Sequence, residues 1–126
     1  MEKDRAMTDN RNVLPYDVRT ERGFTIIRFN GTSLVSAAEL EPIGRALNGL
    51  IDKSERPRLL LDLGNIQFVS SPAINLLLSM QMRVNAIAGA SMAICSAGPK
   101  VMELFRLTRL DRVFRLEESV EKAIGA

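Results

Sequence analysis

A chain of 126 residues, 46% of them hydrophobic and 25% charged, holds enough apolar material for one ordinary globular core and leaves no room for a second. Its formal net charge of +2 is too small an imbalance to argue for nucleic acid or an anionic membrane as a direct partner. It contains no histidine, which excludes Ser-His-Asp and Cys-His nucleophiles, an imidazole base and histidine metal ligands.

Residues 1–12 are polar and charged without hydrophobic period, which predicts a disordered lead before a domain spanning 13–126. The charged start Met1-Glu2-Lys3-Asp4-Arg5 lacks the apolar region of a signal peptide, and no stretch reaches the ~20 apolar residues that span a bilayer. A cytoplasmic location without membrane insertion is expected. Tyr16–Arg19 and Thr25–Phe29 flank Glu21-Arg22-Gly23 and read as a β-hairpin, because β-branched and aromatic residues border a turn with glycine. After the turn at Asn30-Gly31, Leu40, Ile43, Leu47, Leu50 and Ile51 recur at helical spacing from Ser36 to Lys53-Ser54. Pro42 fits that helix only within its first turn.

Arg56-Pro57 closes the helix, and Leu59, Leu60, Leu61 and Leu63 then predict a strand buried on both faces at the centre of a sheet. A helix from Pro72 to about Ala88, ended by Gly89, is followed by a strand through Met92 to Cys95. The lone Cys95 has no partner for an intramolecular disulfide and behaves as a small buried hydrophobe. A helix opened by Gly98-Pro99, a short strand from Val113 to Leu116 and a terminal helix from Glu118 to Ile124 complete the chain. Strands alternating with helices predict an α/β sandwich with parallel pairs joined by helical crossovers.

The chemistry concentrates where Phe68-Val69 leads into Ser70-Ser71-Pro72. Proline suits the first helical position and serine the cap before it, so Ser71 is the expected N-cap. A phosphate on Ser71, or on Ser70, would sit at the positive end of a helix dipole, where an anion is tolerated. Capping alone also explains the serine, so spacing leaves a switch and a plain cap both open. Beyond it, Ala73, Leu76, Leu77, Met80, Val84 and Ile87 gather on one helix face and predict core. Ile74, Leu78 and Met82 form a second stripe beside Asn75, Ser79 and Gln81, either open to a partner or covered by neighbouring helices.

Arg106, Arg109, Arg112 and Arg115 recur every three residues with Leu107, Leu110 and Phe114 between them. Solvated arginines explain this better than a nucleic-acid patch, because Glu103, Asp111, Glu117 and Glu118 dilute the field and no aromatics form a stacking surface. Catalysis finds no footing. Lys3, Lys53, Lys100 and Lys122 show no local pairing with Ser70 or Ser71, and a serine acting with Asp62 lacks an activating base. No glycine-rich nucleotide motif occurs, so no cofactor is expected.

Leu60-Leu61-Asp62-Leu63, the run from Ile66 to Ile74, and the stretch from Gly98-Pro99 through Leu107-Thr108-Arg109-Leu110-Asp111 to Phe114 together resemble the STAS domains, the anti-sigma-factor antagonists. The likeness runs from about Tyr16 to Ile124. It implies a single-domain mixed β-sheet with helices packed mainly on one side, and a phosphorylation-controlled binding protein without enzymatic activity. The implied partners are an anti-sigma factor that is also a serine kinase, and a phosphatase, with a homodimer as a further option. The family's Asp-Ser-Ser-Gly corresponds to Ser70-Ser71-Pro72-Ala73, which makes Ser71 the implied phosphoacceptor, with Ser70 the alternative, and puts a serine where the family has an acid. The implied docking residues are Val69, Ser70, Ser71, Pro72, Ile74, Asn75, Leu78 and Met82. Ala73 in place of glycine would add a methyl where a partner approaches. Some members of the family work unphosphorylated, as scaffolds in signalling assemblies or accessory subunits of transporters.

Overall fold

The fold is built on a strand pattern that hides both faces of its centre. A computed structural model describes residues 16–125; the expected lead over residues 1–12 lies outside them. Strands β1 (Tyr16–Glu21) and β2 (Phe24–Phe29) form the expected hairpin. Their turn residues Arg22 and Gly23 both take positive φ, 52° and 83°, the backbone hand that matches the twist of a two-residue hairpin. β3 (Ser33–Leu34), α1 (Ala37–Asp52), β4 (Arg58–Asp62), β5 (Phe68–Val69), α2 (Ser71–Asn85), β6 (Ser91–Cys95), α3 (Pro99–Leu107), a 3-10 turn (Leu110–Arg112), β7 (Arg115–Glu117) and α4 (Val120–Ile124) follow.

The main sheet has the order β1-β2-β4-β6-β7, with β1 antiparallel to β2 and every other neighbouring pair parallel. β4 is central, as its consecutive leucines predict. Alternation along the strands sends Ile27, Phe29, Leu59, Leu61, Met92 and Ile94 into one core beneath α1, α2 and α3. Phe24, Ile26, Leu60, Ala93 and Cys95 form a second core against Val120, Ala123 and Ile124 of α4. Helices therefore lie mainly on one side, and the mixed α/β architecture is the expected one. Burial pushes the Cys95 thiol up to about 11, so the side chain is an inert part of the second core. α1 and α2 approach closely at Gly44, where an added Cβ would lie 3.1 Å from the Leu76 side chain.

Several boundaries differ from the sequence expectation. Pro42 sits in the second turn of α1, not the first; it offers no N–H to the Ala38 carbonyl, and Ala38 and Pro42 are both exposed, so water can take the place of that bond. α2 ends at Asn85 with Ala86 as its cap, and Gly89 (φ 81°) lies in the turn that follows. The last strand spans Arg115–Glu117, starting two residues and ending one residue later than expected, because Leu110–Arg112 winds into a 3-10 turn first. The short parallel pair β3–β5 joins Ser33 to Phe68 and Leu34 to Val69 and was not anticipated, since two-residue strands carry no readable period. Among the described residues, no helix is long and apolar enough to cross a membrane, and no group of three or more His, Cys, Asp or Glu could hold a metal ion.

Candidate functional site

The start of α2 is fastened from both sides. The Gln67 N–H bonds the Thr32 carbonyl at 2.6 Å and the Ser70 N–H bonds the Leu34 carbonyl at 2.9 Å, which locks the β5 end to the β3 end. Ser70, not Ser71, is the N-cap. Its Oγ accepts the Ala73 N–H at 3.3 Å and donates to the Val35 carbonyl at 2.9 Å. This corrects the expectation by one residue. Ser-Ser-Pro is compatible with proline at the first or second helical position, and the contact to Val35, 35 residues away, decides for the second.

The amide inventory of this helix start follows directly. The Ser70 N–H is taken by Leu34, Pro72 has none, and the Ala73 N–H is taken by the cap. The Ile74 N–H makes the first intrahelical bond, to the Ser70 carbonyl at 3.0 Å. Of the amides from Ser70 to Ile74, that of Ser71 alone finds no acceptor among the described residues, and the Ser71 hydroxyl makes no hydrogen bond there. Ser71 is exposed. The structural work of capping falls on Ser70, which leaves Ser71 chemically uncommitted at the positive tip of the helix.

Around Ser71, Pro72 and Asn75 are exposed and Val69 and Ser70 are half-buried. Ile74 and Leu78 are half-buried and lean against the main core, while Met82 is 71% exposed. The second stripe is thus partly core and partly open, with Met82 its most accessible member. Ala73 is buried to 1% exposure, so its methyl fills the core and meets no partner, contrary to expectation. Leu76 and Ile87 of the expected core face are only half-buried. Gln81, read as a polar neighbour of the outer stripe, is instead buried: Nε2 donates to Asn85 Oδ1 at 2.9 Å, and Oε1 is buried without a partner.

Two apolar side chains that were not expected join this surface. Phe68 is 54% exposed and Val35 is 47% exposed. Lys100 of α3 places its ammonium 5.1 Å from the centroid of the Phe68 ring, a cation–π distance. Beside them lies a surface groove of about 400 Å³ lined by Ile66, Gln67, Gly98, Pro99, Lys100 and Val101. Alternation along β5 would have placed Phe68 opposite Val69, but only once that two-residue strand was recognised.

The residues weighed for catalysis are not brought together. Asp62 Oδ1 accepts the Gly64 N–H at 2.9 Å, whereas the Ser70 hydroxyl is spent on Val35. No hydrogen bond links Asp62 to either serine among the described residues. What the arrangement offers is an exposed hydroxyl in a partly apolar surface, on a rigid helix start.

Comparison with known proteins bears on this geometry. A family model described as STAS domain matches residues 15–123. A Bordetella bronchiseptica protein provisionally named anti-sigma factor antagonist BtrV is 29% identical over 93 residues, which make up 74% of this chain and 78% of that protein. The structure of an anti-sigma-factor antagonist (STAS) domain protein from Planctomyces limnophilus superposes with a TM-score of 0.77 at 24% identity, covering 86% of this chain and 93% of that one. The anti-sigma factor antagonist SpoIIAA matches in its unphosphorylated form with a TM-score of 0.72 and 18% identity, over 86% of this chain and 92% of that one. The Bacillus SpoIIAA in its phosphorylated form gives 0.66 and 17%, over 87% and 96%.

Proposed function

This chain belongs to the STAS-domain family, and on that premise we propose that it is a regulatory binding protein of the anti-sigma-factor antagonist type, switched by phosphorylation of Ser71. The observation that carries the reading is the division of labour between adjacent serines. Ser70 holds the helix with both hydrogen-bonding capacities of its hydroxyl, and Ser71 stands exposed with none used.

In the unmodified protein, a partner covers Phe68, Val69, Ser70, Ser71, Pro72, Ile74, Asn75, Leu78 and Met82, uncharged side chains bordered at Phe68 by the Lys100 ammonium, with apolar groups around the free hydroxyl. Phosphorylation adds about −1.5 to −2 charges at Ser71. In the free protein the helix dipole and the open Ser71 N–H favour that charge, typically by about 0.3–1 kcal/mol. In the complex the same dianion would be buried against apolar groups, and stripping its water without compensation costs several kcal/mol. Docking is lost while the fold stays intact.

The partner on this reading is an anti-sigma factor that also acts as the serine kinase, with a phosphatase restoring the free hydroxyl; the protein works in the cytoplasm as a binder, not an enzyme. Replacement of the family's acid by Ser70 does not remove the acceptor, because Ser70 has become the cap. A pull-down of the partner kinase by Ser71→Asp and wild-type protein, each checked by circular dichroism, tests the reading. Association lost in a folded variant supports it. Undiminished association makes the surface a constitutive docking site, as in an unphosphorylated scaffold, an accessory subunit or a homodimer.

A further inference from the structure

The arginines spaced by three find no part in the Ser71 surface, and the structure gives them a setting of their own. α3 ends at Leu107, and Thr108 caps it with its N–H and its hydroxyl both donating to the Leu104 carbonyl, at 3.0 and 2.7 Å. The Arg109 N–H then bonds the Arg106 carbonyl at 3.1 Å, and the Arg112 N–H bonds the Arg109 carbonyl at 3.3 Å. Arg106, Arg109 and Arg112 therefore follow one another by successive tight turns. All three are exposed, and among the described residues none forms an ion pair, although Glu103 and Asp111 lie within three positions. Arg115, the fourth of the series, is instead held by Glu117 at 2.7 Å.

Leu107, 76% exposed, and Val113, 47% exposed, stand among these cations. The turn has a firm seat: Leu110 is buried beneath it, and the rings of Phe105 and Phe114 pack at 5.7 Å. Arg109 itself takes a left-handed conformation, φ 61°, at the position after a helix cap where glycine is strongly favoured because it has no Cβ to clash. A long cation stands where backbone energetics favour no side chain at all.

We propose that the segment Arg106–Val113 is a second docking face, for an acidic and partly apolar segment of a partner protein whose carboxylates engage Arg106, Arg109 and Arg112 while an apolar side chain covers Leu107. Guanidinium forks match carboxylates in bidentate geometry, and the unpaired state of all three leaves those forks available. An anionic membrane fits less well, since the turn offers only two exposed apolar side chains, Leu107 and Val113, for insertion. The face lies at the opposite end of α3 from Lys100, about 13 Å of helix away from the Phe68 end, so a partner can hold it whatever the state of Ser71. The inference does not depend on the Ser71 reading.

The test titrates a fluorescein-labelled synthetic amphipathic helix, with glutamates flanking leucines, against the full chain by fluorescence anisotropy. Saturable binding is expected, weakened at least tenfold by combining Arg106→Glu, Arg109→Glu and Arg112→Glu, and several-fold by Leu107→Ser. A control combining Arg19→Glu, Arg45→Glu and Arg56→Glu changes net charge equally and should bind as the wild type does. Arg109→Gly, which relieves the backbone, should raise the melting temperature and still weaken the peptide. Absence of saturable binding, equal losses in both triple variants, or arginine-dependent sedimentation with phosphatidylglycerol vesicles in place of peptide binding would each overturn the proposal. None of these outcomes bears on Ser71.

Discussion

The start of α2 and the end of α3 treat their exposed side chains in opposite ways. At the start of α2, the Ser70 hydroxyl does the capping, and the hydroxyl of its neighbour Ser71 carries no structural duty. At the end of α3, Arg109 occupies a left-handed position that glycine would fill more cheaply. One end separates structure from chemistry by assigning them to adjacent residues, and the other makes a single residue bear both. Substitution should therefore be nearly free at Ser71, and replacement by glycine stabilising at Arg109.

The sharpest way to break that contrast is at the cap. Ser70→Ala removes the acceptor for the Ala73 N–H and the donor to the Val35 carbonyl, and should cost about 1–2 kcal/mol in urea denaturation. If Ser71→Ala costs as much, the assignment of roles is wrong.

The element order was legible in the chain because each element buries a face whose period shows through. Leucines at consecutive positions reveal a strand covered on both sides, and Leu40, Ile43, Leu47 and Ile51 reveal one buried helix stripe. The exchange of roles between Ser70 and Ser71 was not legible, because the local sequence permits either register and a carbonyl 35 residues away selects one. Nor could Gln81 be read as buried, or Ile74 and Leu78 as half-buried, since helical spacing gives direction around an axis but not what stands opposite. The exposure of Phe68 was not legible for want of a strand long enough to alternate. The arginines' spacing was plain, but spacing does not say which acids pair: Arg115 is held by Glu117, while Glu103 and Asp111 leave the other three unpaired among the described residues.

A smaller effect of opposite sign is expected at Gln81. Its Oε1 is buried without a partner, a state that typically costs about 1–3 kcal/mol, partly offset by its bond to Asn85. Gln81→Leu should stabilise the fold by about 1 kcal/mol, seen as a higher denaturant midpoint at unchanged slope. A lower midpoint would mean that the amide is satisfied in solution.

The smallest change should come from Ser71→Ala, within about ±0.5 kcal/mol as for an ordinary exposed position. Its near-silence in folding sharpens the contrast, because the same position is where modification should matter most for association.

That claim is tested most directly by mapping the phosphate after incubation of the protein with its partner kinase and ATP, and measuring partner binding by the modified form. Phosphate on Ser71 with binding weakened at least tenfold in a folded domain is the predicted result. Phosphate confined to Ser70 or absent, or full binding by a domain phosphorylated at Ser71, would contradict it.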